Sequence, residues 1–200
     1  MDLNLSWTLP AFTGLVVAVG LFRLIELNIS QRRRRGLRAR GAAPVAEKHF
    51  LAMVVLHAGI LCGSIAEAWL TARPVMPWLA ATALALVFAA SLLRWWVIAT
   101  LGPHWNVKIM ASLSLGVVTG GPYRFVRHPN YVAVFVELLA LPLVHGAYVT
   151  AVLGGAAHLW VLAQRIRAEE EVLFADPAYR ASMGPKPRFL PRLLAGHPHD

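Results

Sequence analysis

Charged residues are scarce in this 200-residue chain: Asp, Glu, Lys and Arg make up only 14% of it, whereas hydrophobic residues make up 58%. So few polar groups cannot cover a water-soluble globule. Cysteine is nearly absent, and the single Cys62 allows no intramolecular disulfide. The chain also lacks a Walker-type loop, GxGxxG, HExxH and any Cys/His cluster with metal-ligand spacing. The missing motifs argue against soluble nucleotide-binding folds and zinc sites. The scarcity of charged residues, together with the high hydrophobic content, indicates an integral membrane protein.

Long apolar runs, in contrast, are abundant. The first three cover about residues 7–27, 50–70 and 78–101, and each is long enough to cross a bilayer. Residues 131–145 and 147–163 form two shorter runs of about 22 to 26 Å each, whereas one helix through both would be about 50 Å long. We therefore predict an all-α integral membrane protein with about five transmembrane helices, the last two a short helical hairpin, followed by a cytoplasmic C-terminal helix and tail.

The basic residues predict an orientation. Seven Lys/Arg lie in residues 28–48, three in residues 102–130 (among them Lys108) and six from residue 164 onward. Five spans place all three segments on one face, which the positive-inside rule makes cytoplasmic, with the N-terminus outside. A cleaved signal peptide fits poorly, because the basic cluster follows the first apolar run. RRRRGLRAR has no interleaved aromatic residues and adjoins a span, which favours lipid headgroups over nucleic acid.

Ionisable residues inside the apolar runs are few, and each costs about 2.5 to 3.5 kcal/mol on insertion scales unless it finds a partner or a wet cavity. They are Arg23, Glu26, His57, Glu67, Arg94, Glu137 and His158. Arg23 and Glu26 are spaced to pair with each other. His57 and His158 are interpreted as separate, hydrogen-bonded packing groups rather than ligands. Glu67 is expected to extend to the outer interface. Arg94, beside two Trp residues, either anchors at a membrane interface or lines a site.

The densest polar segment before the hairpin is GPYRFVRHPNY, residues 121–131. Proline suits the first turn of a helix, so His128 and Pro129 are expected to open the fourth span. The free N–H groups and positive dipole of that helix end, beside Arg124 and Arg127, predict a cradle for a carboxylate or a phosphate.

A second polar segment, RIRAEEEVL at residues 165–173, continues the fifth span. Arg165 and Glu169 share one helix face, and Glu170 lies on another. Because the hairpin returns to the side on which it began, this acidic turn and the basic cradle are expected to meet. Cationic donors beside carboxylates predict a pocket for a zwitterion, such as the amino-acid end of a ligand.

These motifs resemble a known family. GPYRFVRHPNY, the short hairpin, RIRAEEEVL, a later tyrosine and PRFLP are together similar to the C-terminal core of the isoprenylcysteine carboxyl methyltransferase family, related to phospholipid methyltransferases, over about residues 92–192. Upstream, FRLIELNISQRRRRGLRARGA and HFLAMVVLHAG are similar to bacterial members. The resemblance implies one membrane methyltransferase domain over residues 1–200, with three spans in 1–101 and a cofactor-binding catalytic core in 102–192. It also implies a bacterial inner membrane.

The resemblance further implies that the protein binds S-adenosyl-L-methionine from the cytoplasm and methylates a lipidic substrate from the bilayer. Arg165, Glu169 and Glu170 are the implied catalytic residues. The implied cofactor-binding residues are Tyr123, Arg124, Arg127, His128, Pro129, Tyr131, Glu170, Tyr179 and Arg188. No metal is implied. The expected mechanism is direct displacement at the sulfonium methyl, which the protein promotes by alignment and exclusion of water.

The methyl acceptor stays open between two kinds. A prenylcysteine carboxylate, as in the eukaryotic prototypes, needs no base, and Arg165 would orient it. A phenol or enol hydroxyl needs a general base, for which Glu169, Glu170 or His128 are candidates. Bacterial members are thought to include O-methyltransferases of phenolic lipids and alkylpyrones, so the resemblance favours a lipid hydroxyl.

Two other classes of protein stay open. Sterol-type membrane reductases carry a related RHPNY region that binds NADPH, although they are typically much longer, and RIRAEEEVL fits methyltransferases better. A non-catalytic membrane scaffold or small transporter on the same fold is the remaining alternative.

Overall fold

The computed structural model describes residues 5–39, 43–44, 50–106, 110–111 and 116–191. The helices are α1 (Leu5–Ala39), α2 (Phe50–Thr71), α3 (Pro77–Leu101), α4 (Pro129–Leu143), α5 (Tyr148–Leu173) and α6 (Pro177–Met183). Two short 3-10 turns, Gly102–His104 and Gly121–Arg124, flank the connection between α3 and α4, and Ala43–Pro44 pairs antiparallel with Met110–Ala111. The basic residues Arg40, Lys48, Lys108 and Arg192 lie outside the described residues, as do residues 107–109, 112–115 and 192 of the predicted catalytic core.

The helices confirm an all-α architecture. The first three predicted spans coincide with the apolar parts of α1, α2 and α3. In the described part of the chain, four helices, α1, α2, α3 and α5, are long and apolar enough to cross a membrane, and α4 is a shorter apolar helix of 15 residues. The protein is therefore an integral membrane protein, while the count of five spans stays a prediction.

The hairpin of α4 and α5 is asymmetric. α5 has 26 residues because the charged sequence RIRAEEEVL continues the apolar part of the helix without a break. α4 begins at Pro129, as predicted, where the missing N–H of proline costs nothing. It ends just after Pro142, and Gly146, at a φ of 65°, makes the turn that leads into α5. A left-handed conformation of this kind is open to glycine without strain.

α4 occupies the centre of the bundle, packed against α3 on one side and α5 on the other. α2 packs against α5, and α1 packs against α2. The apolar core includes Phe12 and Val16 from α1 and Leu141 from α4, so it lies near the start of α1 and the end of α4. Large apolar side chains such as Leu70 and Val152 remain exposed on the outer surface, as expected where lipid replaces water as the solvent.

Glu67 anchors the start of α5. Its carboxylate accepts hydrogen bonds from the backbone N–H groups of Val149 (3.0 Å) and Thr150 (2.7 Å) and from the Thr150 hydroxyl (2.8 Å). Arg73 pairs with Glu67 at 3.1 Å and donates to the Gly146 carbonyl oxygen at 2.7 Å. Glu67 therefore does more than extend to the interface, because it satisfies helix N–H groups that have no intrahelical partner.

Candidate functional site

A cavity of about 400 Å³ opens among the five longer helices. One end, which we call the motif end, is formed by residues from GPYRFVRHPNY (the motif), from RIRAEEEVL and from α6. These are Tyr123, Arg127, His128, Tyr131, Arg165, Glu169 and Tyr179. Its bundle end is lined by polar residues from within the apolar helices; these are Arg23, Glu26, His57, Arg94, Glu137 and His158. Between them the wall is largely apolar, and the volume lies in the range of about 300 to 1,000 Å³ of small-molecule sites.

At the motif end, Glu170 binds the tail. Arg188 donates to the Glu170 carboxylate from Nη2 (2.6 Å) and Nε (3.1 Å), and His128 donates from Nε2 (3.0 Å). Arg127 lies 3.5 Å from the same carboxylate. The carboxylate of Glu170 is thus enclosed by three basic side chains, which makes it a junction between α5, the motif and the tail.

The tail segment, residues 186–188, also bonds to the motif through its backbone. The N–H groups of Arg127 and His128 donate to the carbonyl oxygens of Pro187 (2.9 Å) and Arg188 (3.0 Å). Lys186 Nζ donates to the Tyr123 carbonyl oxygen at 2.8 Å. The tail segment therefore covers the chain that precedes α4 and holds it in place.

Glu169, the neighbour of Glu170, lies instead on the cavity. The Tyr131 hydroxyl donates a short hydrogen bond to its carboxylate, and Arg165 Nε donates to the same hydroxyl at 2.9 Å. Arg165 Nη1 also contacts the sulfur of Met53 at 3.4 Å. Residues of α2, α4 and α5 thus form one polar row along the cavity wall.

The structure brings most of the predicted site residues together. Among the described residues that line the cavity, seven are predicted ones: Tyr123, Arg127, His128, Tyr131, Arg165, Glu169 and Tyr179. Glu170 and Arg188 lie at the tail junction, and Pro129 is buried at the start of α4. Arg124 is exposed, with its guanidinium 5.0 Å from the ring centre of Phe125. The individual roles of these residues stay predictions.

A charge network occupies the bundle end. Arg23 pairs with Glu26 at 2.6 Å, which confirms the predicted pair. Arg94 binds Glu26 from two nitrogens (2.7 and 2.5 Å), and Arg23 also binds Glu137 at 2.6 and 2.8 Å. Arg94 thus lines the site rather than anchoring at an interface. The contact with Glu137 was missed, although two arginines and two glutamates in apolar helices already indicated mutual neutralisation.

Two histidines at the bundle end form a pair that sequence reasoning treated as separate. The rings of His57 and His158 lie 5.1 Å apart, and Phe135 stacks on His158 at 6.1 Å. Within the described part of the chain, His57 Nε2 and His158 Nδ1 are buried and have no hydrogen-bond partner. The expectation of hydrogen-bonded packing groups is therefore wrong for these two nitrogen atoms.

The donors and acceptors of the motif end fit the amino-acid part of S-adenosyl-L-methionine. Arg127 lines the cavity, and a guanidinium is a suitable partner for a carboxylate. The Glu169 carboxylate suits an ammonium group. Burial, together with the nearby charge of Glu169, raises the pKa of Tyr123 and of Tyr179 well above the ordinary value. Both hydroxyls therefore stay neutral and able to donate.

The sequence is similar to one protein family and to two bacterial proteins. The profile of the isoprenylcysteine carboxyl methyltransferase (ICMT) family matches residues 83–175. The chain is 30% identical over 162 residues to the uncharacterised protein YpbQ of Bacillus subtilis, covering 81% of this chain and 96% of that protein. It is also 30% identical over 152 residues to an uncharacterised protein of Haemophilus influenzae, covering 76% of this chain and 88% of that protein.

The junction at Glu170 yields a prediction about the tail. Arg188→Ala removes the bidentate partner of Glu170, so the tail segment detaches more often and the amides of Arg127 and His128 lose their carbonyl partners. Because Arg188 is half exposed, we expect a loss of about 1 kcal/mol and about fivefold faster amide exchange in residues 121–131. Hydrogen-exchange mass spectrometry in nanodiscs measures this.

Arg167→Ala is the control, because Arg167 is an exposed arginine on the same helix as Glu170. It should leave exchange in residues 121–131 unchanged. Equal exchange rates in wild type and Arg188→Ala would show that the tail segment does not hold the motif.

Proposed function

Because the chain belongs to the isoprenylcysteine carboxyl methyltransferase family, we propose that it is a membrane methyltransferase that uses S-adenosyl-L-methionine to methylate a lipidic acceptor. One observation carries the proposal. A single cavity joins a motif end suited to a zwitterion, with Arg127 and Glu169, to an apolar wall inside the helix bundle. A polar methyl donor and a hydrophobic acceptor need these two environments side by side.

The chain's own residues would bind and orient the two reactants. Arg127 would bind the carboxylate of the cofactor, and Glu169 its ammonium group, since both side chains line the cavity. The neutral hydroxyls of Tyr123 and Tyr179 would donate hydrogen bonds at the same end. When bound, the cofactor supplies an electrophilic methyl group. The tail segment, held by Glu170 and Arg188, would keep the motif in place and exclude water, so alignment is the main contribution of the protein.

For the acceptor, we propose a hydroxyl of a phenolic lipid or an alkylpyrone. Both similar proteins come from bacteria, which supports an acceptor other than the prenylated proteins of the eukaryotic prototypes. A hydroxyl must lose its proton, and Glu169, next to Tyr131 at the motif end, is a carboxylate on the cavity that can take it. The alternative is a prenylcysteine carboxylate, which needs no base and for which Arg165 would be the orienting group.

Ligand binding distinguishes the proposed function from a reductase or a scaffold. Calorimetric titration of the protein in nanodiscs with S-adenosylhomocysteine should show binding, and titration with NADPH should not. Glu169→Gln should weaken S-adenosylhomocysteine binding about tenfold or more, because a charge-assisted hydrogen bond contributes about 1.5 to 3 kcal/mol. Glu171→Gln, at an exposed position two residues away, should not. Binding of NADPH alone would support the reductase, and binding of neither ligand would support the scaffold.

Transfer of a radiolabelled methyl group identifies the acceptor class. Incubation with labelled S-adenosyl-L-methionine should methylate 4-dodecylphenol and leave N-acetyl-farnesylcysteine unmodified. At saturating cofactor, Glu169→Gln should lower kcat for the phenol by a factor of about 10² to 10⁴, because a general base is lost. Methylation of farnesylcysteine instead, with kcat unaffected by Glu169→Gln, would overturn the hydroxyl proposal and favour the carboxylate.

We also propose five spans in a bacterial inner membrane, with the N-terminus outside and the motif end in the cytoplasm. The four long apolar helices and α4 support this arrangement, together with the distribution of the basic residues. Alkaline phosphatase fused after Pro74 should be active, whereas fusions after Val118 and Pro191 should be inactive. Green fluorescent protein fused at these positions should give the opposite pattern. An active phosphatase after Val118 would refute the orientation.

A further inference from the structure

The hydroxyl of Tyr131 links two side chains of α5. It donates a short hydrogen bond to Oε2 of Glu169 and accepts one from Nε of Arg165 at 2.9 Å. Arg165 and Glu169 are four residues apart, so both lie on the same face of α5. All three side chains line the cavity. The candidate base and the candidate orienting group for the acceptor are thus tied to one hydroxyl of α4.

The hydrogen-bonding capacity of this hydroxyl limits its role. A tyrosine hydroxyl carries a single hydrogen, and in Tyr131 that hydrogen is donated to Glu169. The family resemblance implies that Tyr131 binds the cofactor. A hydroxyl whose hydrogen is used on Glu169, however, has none to donate to the cofactor carboxylate. The contacts of Tyr131 are therefore those of a group that holds protein side chains in place.

Tyr131 is well suited to hold the flexible carboxylate that it bonds. It lies in the first turn of α4, where its N–H donates to the His128 carbonyl oxygen at 3.2 Å. Its ring lies 5.4 Å from the ring of His128. A tyrosine side chain has fewer rotatable bonds than a glutamate and loses less conformational freedom when it is fixed. A carboxylate that is held at one oxygen is fixed in direction, which a reaction that depends on alignment requires.

We propose that Tyr131 is a positioning residue, which fixes the Glu169 carboxylate for deprotonation of the acceptor hydroxyl. The inference rests on the proposed methyl transfer to a hydroxyl and assigns Tyr131 a role that it exerts through Glu169. In this step the O–H bond of the acceptor breaks and its proton moves to Glu169. The acceptor oxygen forms a bond to the methyl carbon as the bond between that carbon and sulfur breaks. Tyr131 keeps its own proton throughout.

Removal of the hydroxyl alone tests this role. At saturating S-adenosyl-L-methionine, Tyr131→Phe should lower kcat for 4-dodecylphenol about tenfold or more, because a misplaced base is costly. The dissociation constant of S-adenosylhomocysteine should change less than about twofold, because Glu169 keeps the charge that would pair with the ammonium group. Tyr123→Phe is the reference for a direct donor to the cofactor and should weaken this binding about fivefold.

A double-mutant cycle shows through which group Tyr131 acts. In a Glu169→Gln background, Tyr131→Phe should lower kcat further by less than about twofold, because the effects of coupled residues do not add. Tyr148→Phe is the control, because the Tyr148 hydroxyl contacts the Met76 sulfur at 3.5 Å, at the other end of α5. It should change neither kcat nor the dissociation constant of S-adenosylhomocysteine.

A measurement without turnover checks the contact itself. The chain has four tyrosines, so their ¹³Cζ resonances in labelled protein can be assigned by single phenylalanine substitutions. Glu169→Gln should shift the resonance of Tyr131, because the hydroxyl loses its charged acceptor. Glu171→Gln, at an exposed position on the same helix, should leave it unchanged.

Three results would overturn the inference. They are an unshifted Tyr131 resonance in Glu169→Gln, a loss of S-adenosylhomocysteine affinity in Tyr131→Phe as large as in Tyr123→Phe, and additive losses of kcat in the double mutant. Failure of wild type to bind S-adenosylhomocysteine or to methylate the phenol would instead refute the proposed function. The tyrosine resonance distinguishes the two failures, because it reports the contact between Tyr131 and Glu169 without cofactor or acceptor.

Discussion

The ion pairs among Arg94, Glu26, Arg23 and Glu137 tie α1, α3 and α4 together inside the membrane, and the shape of the cavity depends on them. Each charge would cost several kcal/mol alone in the bilayer, but the network holds equal numbers of both signs. Loss of one member would leave a buried charge unpaired, which is far more costly than replacement of the whole network by apolar groups. The network thus gives the cavity a polar wall that carries no net charge.

Two adjacent glutamates show how one helix serves both structure and chemistry. Successive positions on an α-helix point about 100° apart, so Glu169 and Glu170 lie on different faces of α5. Glu170 joins the tail to the motif through Arg188 and His128. Glu169 contacts Tyr131 on the cavity. A substitution at Glu170 therefore tests the position of the motif, whereas one at Glu169 tests groups that line the cavity.

Local patterns in the sequence were enough to predict the helices and much of the motif end. Apolar runs located α1, α2 and α3, Pro129 located the start of α4, and the i,i+3 spacing predicted the pair of Arg23 with Glu26. Contacts between residues far apart in the chain were not predictable this way. Arg23 and Glu137 are 114 positions apart, and His57 meets His158 only because α2 packs against α5. No helical periodicity carries that information.

The length of α4 also constrains the surrounding lipid. Its 15 residues reach about 22 Å, against about 30 Å for a typical hydrocarbon core, and its neighbours α3 and α5 are longer. In the proposed arrangement of five spans, the bilayer beside the α4–α5 turn must thin locally, or headgroups and water must descend to meet the turn. The energy of that deformation falls as the surrounding membrane becomes thinner. The protein should therefore concentrate in, and dimple, regions of short or disordered acyl chains.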